Sequence, residues 1–293
     1  HPIATLSTPR LLSSENIDDA QLQEVYEHGK NLKRDGYDTV ICIPLFNSDA
    51  RTQVKEEINS LFEELMLFLR NIEDFRIQSP EREEHWKINR SGNTVTILHG
   101  GGASSTWEIF EDSGQIPQEY RESHQTKDQY EIKVAVPSDF TQIRATSNLF
   151  VFFPTKVAFP FPMLAHGTFH VNDSRNHLTK TDANRFVAKQ LASTMVEAAE
   201  ENRSEADPWR ALQAVSPTEP IGATLSELGA PKGDADSFEE ILCTEIASHS
   251  LIPVQNSTYT TPERAWRLSG DFDDLLEGER FDDICLAIEN EDV

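Results

Sequence analysis

Between Asp74 and Phe110 the chain breaks into short runs, Asp74–Gln78, Glu84–Asn89, Thr94–His99 and Thr106–Phe110, separated by turn formers such as Ser91-Gly92-Asn93 and Gly100-Gly101-Gly102. Strand-length runs punctuated in this way predict an antiparallel meander. Upstream, Thr39-Val-Ile-Cys-Ile-Pro-Leu45 is β-branched and reads as a buried strand, with Asp35-Gly36 supplying a turn before it. From Ala50 to about Arg70, Val54, Ile58, Leu61, Leu65, Phe68 and Leu69 recur at three- and four-residue spacing, predicting one helix that covers a face of the sheet.

Residues 113–129 are polar and aperiodic, which places a linker and a domain boundary near 112–128. A second β-rich unit follows. Tyr130–Val136 reads as a strand, Asn148–Thr155 as a Phe-rich strand buried on both faces, and Leu164–Val171 as a strand after a Pro-Phe-Pro turn. Asp182 caps a helix running to about Asn202, with Phe186, Leu191, Met195 and Val196 as its buried stripe. Helical patches at 208–214 and 237–248, an extended Leu251–Val254 and an acidic tail from Asp271 complete the chain. The fold class expected is α+β, with antiparallel or mixed sheets covered by long amphipathic helices.

With 293 residues, 38% of them hydrophobic, the chain has material for about two domains and a substantial core. A formal charge of -24 repels a phosphate backbone and disfavours nucleic acid as a partner. Cys42, Cys243 and Cys285 form no CxxC pair and read as reduced, mostly buried residues of a cytoplasmic protein. No apolar run approaches the roughly 20 residues of a membrane span. The opening at His1, without an initiator methionine, suggests a chain cut from a longer one.

The glycines of His99-Gly-Gly-Gly-Ala-Ser-Ser105 lack the GK[ST] ending of a phosphate loop and read as a hairpin turn. His166 and His170 share a strand face, but no third ligand arrives at metal-site spacing, so they read as core or surface histidines and no metal site is expected. No nucleophile elbow is present, and the acidic cluster at Asp271–Asp274 reads as solvated surface. The segment from His166 to Arg175, followed by Asn176-His-Leu-Thr179 and a long helix, is different. It sets an arginine at the exit of a buried strand with Asn and Ser neighbours able to order its loop. A rigid cation delivered in that way can neutralise charge on a transferring phosphoryl group, while the alternative is a surface arginine paired with a carboxylate.

The order of strand 39–45, long helix, meander, Phe-rich strand, Asn-x-Ser-Arg and second long helix resembles the GHKL ATPase superfamily, the ninety-kilodalton heat-shock chaperone and sacsin-like proteins in particular, over residues 35–200. Asp38-Thr39-Val40-Ile41 is similar to the strand that closes the nucleotide pocket, which implies a nucleotide-binding role for Thr39. Asn172-Asp-Ser-Arg175 resembles the middle-domain motif whose arginine meets the ATP γ-phosphate, implying a catalytic role for Arg175 with Asn172, Ser174 and Thr179 in support. Phe152-Phe-Pro-Thr155 and the His-Gly-x-Phe beginning at His166 look closer to sacsin-type proteins.

By this likeness residues 1–112 are the C-terminal part of a nucleotide-binding domain, 128–202 a middle domain of ribosomal-protein-like transducer fold, and 203–293 an acidic region outside the resemblance. The chain departs from the pattern in having no helical Glu-x-x-x-Asn and no Asp-x-Gly-x-Gly loop, elements that would lie before His1. ATP and Mg are thus expected as cofactors of the parent protein and none of this chain alone. The partners implied are the missing N-terminal segment and a protein client or second copy. The alternative is an inactive acidic interaction module within a larger protein. A calorimetric titration tests the first reading: the 293-residue chain by itself should show no tight Mg-ATP binding and no hydrolysis, and tight binding would contradict the expectation.

Overall fold

Asp35-Gly36 ends a helix. In the computed structural model, which describes residues 19–39, 41, 43, 45, 47–79, 81–121, 128–142, 147–172, 177–229, 237–254, 258–266 and 288–289, α1 (Asp19–Arg34) closes on Gly36 at φ +99°. Gly36 N–H donates to Lys33 O at 3.2 Å and Tyr37 N–H to Leu32 O at 3.1 Å. That pairing caps the last carbonyls and needs the left-handed conformation glycine adopts freely. The chain forms two compact units, residues 1–61 and 62–293. The division therefore falls at Leu61, not near 112–128.

The strand expected at 39–45 does not appear among the described residues of that run. Thr39, Ile41, Ile43 and Leu45 have no regular secondary structure, and Ile41 is 81% and Ile43 76% exposed. Val40, Cys42 and Pro44 lie outside the described residues. A β-prone run satisfies its backbone by pairing, and the described part of residues 1–61 offers α1 and α2 (Ser48–Ser60) but no strand. Asn47 caps α2, its Oδ1 accepting from Ala50 N–H at 2.7 Å.

The helix expected over Ala50–Arg70 breaks after Ser60, where Leu61 and Phe62 turn extended, and resumes as a 3₁₀ helix, Glu63–Phe68. Leu65, Met66, Leu67 and Phe68 are all buried. Consecutive residues cannot all lie on the single stripe of an amphipathic α-helix, which explains the break. Arg90 holds the 3₁₀ helix in place by donating to the carbonyls of Met66 at 2.7 Å, Leu69 at 3.0 Å and Leu67 at 3.3 Å.

The meander is present as β1 (Asp74–Gln78), β2 (Glu83–Ser91), β3 (Thr94–His99) and β4 (Ser104–Gln115). The triglycine is the β3–β4 turn, with His99 N–H donating to Ala103 O at 2.9 Å. β4 runs through Ser113-Gly114-Gln115, where a linker was expected, and pairs with β5 (Gln129–Pro137) from Trp107↔Pro137 to Gln115↔Gln129. The segment is polar because its side chains line an exposed stretch of paired strand, with Asp112 accepting from Tyr130 Oη at 2.9 Å.

The Phe-rich run is two strands, not one. β6 (Asn148–Val151) turns at Phe152, φ +61°, into β7 (Phe153–Ala158). β8 (Leu164–Gly167) ends four residues before the expected Val171. The larger unit is α+β, one mixed sheet in the order β1-β2-β3-β4-β5-β8-β6-β7 that is antiparallel except at β6–β8. Its helices are α3 (Asp182–Glu201), α4 (Arg210–Ala214), α5 (Ala223–Ser226) and α6 (Phe238–Ser248). The N-cap of α3 is Thr181, not Asp182: its Oγ1 accepts from Asn184 N–H at 3.2 Å. Two small strand pairs follow, β9 (Ile252–Val254) with β10 (Thr258–Thr260) and β11 (Ala265–Trp266) with β12 (Ile288–Glu289). Among the described residues no helix is long and apolar enough to cross a membrane.

Alternation along β5 divides the core. Ile132, Val134 and Val136 join Val187, Leu191 and Met195 of α3 in the main apolar cluster. On the opposite face Glu111, Lys133, His166 and Phe150 form one row across β4, β5, β8 and β6. The ammonium of Lys133, 3% exposed, lies 2.9 Å from Glu111 and 3.1 Å from Glu131, and Arg70 reaches Glu131 at 2.6 Å. His166 stacks between Phe68 and Phe152, and its Nδ1 accepts the N–H of Phe152 at 3.1 Å. Burial pulls its imidazole down to about 4; Lys133 and Arg70 act in the same direction, and Glu131 with the Phe150 carbonyl opposes them.

Two measurements probe these contacts. Arg90→Ala, which removes three hydrogen bonds to the carbonyls of Met66, Leu67 and Leu69, should destabilise the fold by about 2–3 kcal/mol in urea titrations, with Arg90→Lys restoring only part because an ammonium cannot span them. His166 takes up its proton near pH 6.5 when unfolded and near 4 when folded, so protons favour the unfolded chain. Its contribution is intact above pH 6.5 and is lost as the pH falls toward 4, by up to about 3 kcal/mol. Unfolding free energies across that window should fall less steeply in His166→Gln than in wild type.

Candidate functional site

Where β8 stops at Gly167, the chain makes one more contact with the sheet and then leaves it. Thr168 N–H donates to Glu131 O at 3.1 Å, and Thr168 Oγ1 accepts Glu131 N–H at 3.0 Å. Beyond this, residues 170–172 and 177–179 pair with each other. Thr179 N–H donates to His170 O at 2.9 Å, Val171 bridges Leu178, and Asn172 N–H donates to His177 O at 3.0 Å. His177 N–H in turn donates to Asn172 Oδ1 at 3.3 Å. Residues 173–176 lie outside the described residues, and with them two of the sequence candidates, Ser174 and Arg175.

Two other candidates lie in the paired segments. Asn172 closes the last described rung with both its backbone and its side chain. Thr179 closes the first rung, adding an Oγ1–H donated to His170 O at 3.1 Å. Thr39 belongs to the other unit, where it is exposed and outside regular structure.

The residue that sequence reasoning missed is Asn184. It is 0% exposed, in the first turn of α3. Its Oδ1 accepts His170 N–H at 2.8 Å, and its Nδ2 donates to His170 O and Thr179 O, both at 2.7 Å, and to Thr179 Oγ1 at 3.1 Å. The side-chain amide thus serves both backbone groups of His170 as a neighbouring strand would. The available signal was positional: Asn184 falls three, four and seven residues before Val187, Ala188 and Leu191, on the buried stripe of the helix. A polar residue on such a stripe demands a buried partner. Around it, His177 Nδ1 lies 3.1 Å from Thr224 Oγ1 and Lys180 pairs with Glu227 at 2.7 Å, tying residues 177–180 to the α5 region.

The two histidines weighed as ligands do not share a strand face, because β8 ends before His170. Among the described residues no group of three or more His, Cys, Asp or Glu side chains could hold a metal ion. Cys243, expected to be buried, is exposed on α6, and Cys42 and Cys285 lie outside the described residues. Among the described residues, the site is a pair of short segments, 170–172 and 177–179, fixed to α3 by buried hydrogen bonds. Comparison with protein-family models, with curated proteins and with solved structures yields no match.

Proposed function

We propose that this chain is the nucleotide-sensing and transducer part of an ATP-driven conformational machine of the heat-shock-chaperone and sacsin type. The observation that carries the reading is that the two segments flanking the Asn-x-Ser-Arg sequence, 170–172 and 177–179, are pinned to each other and to the first turn of a 20-residue helix. A cation that must meet a phosphate once per cycle needs such a fixed base, because a misplacement of about 1 Å removes most of its effect on the transition state.

In this reading ATP and its magnesium are held by the remainder of the parent protein, with Thr39 contributing to the closed pocket. The bound nucleotide supplies the phosphoryl group and the charge to be neutralised. The chain's own contribution is Arg175, carried to the γ-phosphate when the domains close, and a middle domain of transducer type that transmits the closure. The exposed run at Ile41 and Ile43 fits the same picture, as a strand awaiting its neighbours from the rest of a nucleotide-binding domain.

That run also favours a second reading. A β-prone, solvent-facing segment is what a protein partner recruits by strand addition, so the chain could instead be a catalytically inactive acidic interaction module. Turnover separates the two. In the full-length protein Arg175→Ala should lower kcat for ATP on the order of 10³-fold with ATP affinity retained. Turnover equal to wild type, or no turnover in wild type, would leave the interaction module standing.

A further inference from the structure

We propose that His166 is the lock of a proton-operated switch at the β6–β7 turn: its neutral imidazole holds the turn closed, and taking up a proton opens it while the rest of the sheet stays paired. The turn is tight, with Phe152 alone between the paired residues Val151 and Phe153. It closes because Phe152 takes φ +61°, a left-handed conformation that a Cβ makes costly. Offsetting that cost is a hydrogen bond of 3.1 Å from Phe152 N–H to His166 Nδ1. β7 is the outermost strand of the sheet and pairs with β6, so its path is set at this residue.

The chemistry of the bond makes it a switch. A backbone N–H only donates, so Nδ1 is the unprotonated nitrogen of the ring. The imidazolium carries a hydrogen on both nitrogens, and a proton on His166 therefore sets two donors against each other. The surroundings act in the same sense. The ring is 2% exposed, Lys133 stands opposite His166 across β5 and β8, and Lys133 and Arg70 both disfavour the charged form, which Glu131 favours. Glu111 on β4 is turned to Lys133 and Arg70. The 3₁₀ helix contributes Glu63, engaged by His99 and Ser105, and the buried Glu64. β6 and β7 bring one charge, the exposed Lys156.

The ring has one cover that can move. Phe68, on the 3₁₀ helix, is 5% exposed, whereas Phe152 is 45% exposed and can swing into water. Opening returns Phe152 to an ordinary φ, lets His166 meet solvent, and re-aims the exposed pair Phe152 and Phe153 at the end of the edge strand. The open form binds the proton more tightly, so acid favours it. With the ring held at about 4 when closed and at its ordinary 6.5 once solvated, opening should be on the order of 10²-fold more frequent at pH 4 than at pH 7.

The test follows the His166 ring nitrogens and backbone amide exchange by NMR in the 293-residue chain between pH 7 and 4, with exchange corrected for its intrinsic pH dependence. Protection of the Phe152 amide should fall on the order of 10²-fold along the titration of the His166 ring, while the amides that pair β4 with β5 keep theirs. In His166→Gln, which cannot titrate, protection of Phe152 should be the same at every pH. Should that variant not fold, the wild-type chain decides by itself, through whether ring and amide share one midpoint. Protection of Phe152 that persists after His166 is protonated would overturn the proposal. So would loss that sets in together with β4 and β5, or a loss that survives in His166→Gln. None of these outcomes depends on nucleotide, so the switch and the ATPase reading stand or fall separately.

Discussion

Strand β5 must be covered on both faces, and the arrangement of the larger unit follows from how each face is covered. One face presents Ile132, Val134 and Val136 to α3, an apolar contact that needs only shape. The other presents Lys133, whose ammonium could not be buried to 3% exposure without compensation. Glu111 from β4 and Glu131 from β5 itself supply that compensation, and Arg70 balances the second carboxylate. The ion cluster therefore specifies which strand lies beside β5 and where the chain must pass as it leaves the 3₁₀ helix. Replacing both carboxylates would leave the buried ammonium of Lys133 without these partners, a far larger loss than a surface ion pair represents.

At two places the sheet runs out and a side chain completes its hydrogen bonding. At the β6–β7 turn the N–H of Phe152 is left in a conformation rare for a bulky residue, and His166 accepts it. Beyond β8 Asn184 accepts the N–H of His170 and joins Thr179 in donating to its C=O. Both are single polar side chains in apolar surroundings, so both are rigid and neither tolerates ready substitution. The second stands in the first turn of α3, where it joins His170 to Thr179.

The signals that read correctly from the sequence were local. Turn residues fell between β1, β2, β3 and β4, the triglycine proved to be a hairpin, and α3 began and ended within a residue of its expected limits. Asn172 and Thr179 were singled out by their place around an Asn-x-Ser-Arg sequence, and the structure shows both bonded at the start of the helix that follows. Asn184 could not be singled out, since an asparagine in a helix announces nothing until the residues opposite it are known. The Phe-rich run was taken for one strand because its apolar character is continuous, and nothing within the run marks Phe152 as the turn. That turn depends on a histidine fourteen positions further along the chain.

By itself the sequence determined the secondary-structure alphabet of the larger unit, its α+β class and the polar character of its surface, because propensity, periodicity and turn chemistry act over a few residues. Only the tertiary structure decided that β4 and β5 pair through the expected linker, that the helix after Ser48 breaks at Leu61, that β8 ends at Gly167, and that Ile41 and Ile43 face solvent. Each of these depends on whether a distant segment arrives to satisfy a backbone group or cover an apolar face. Pairing and burial are properties of two surfaces at once, and one stretch of sequence describes only its own.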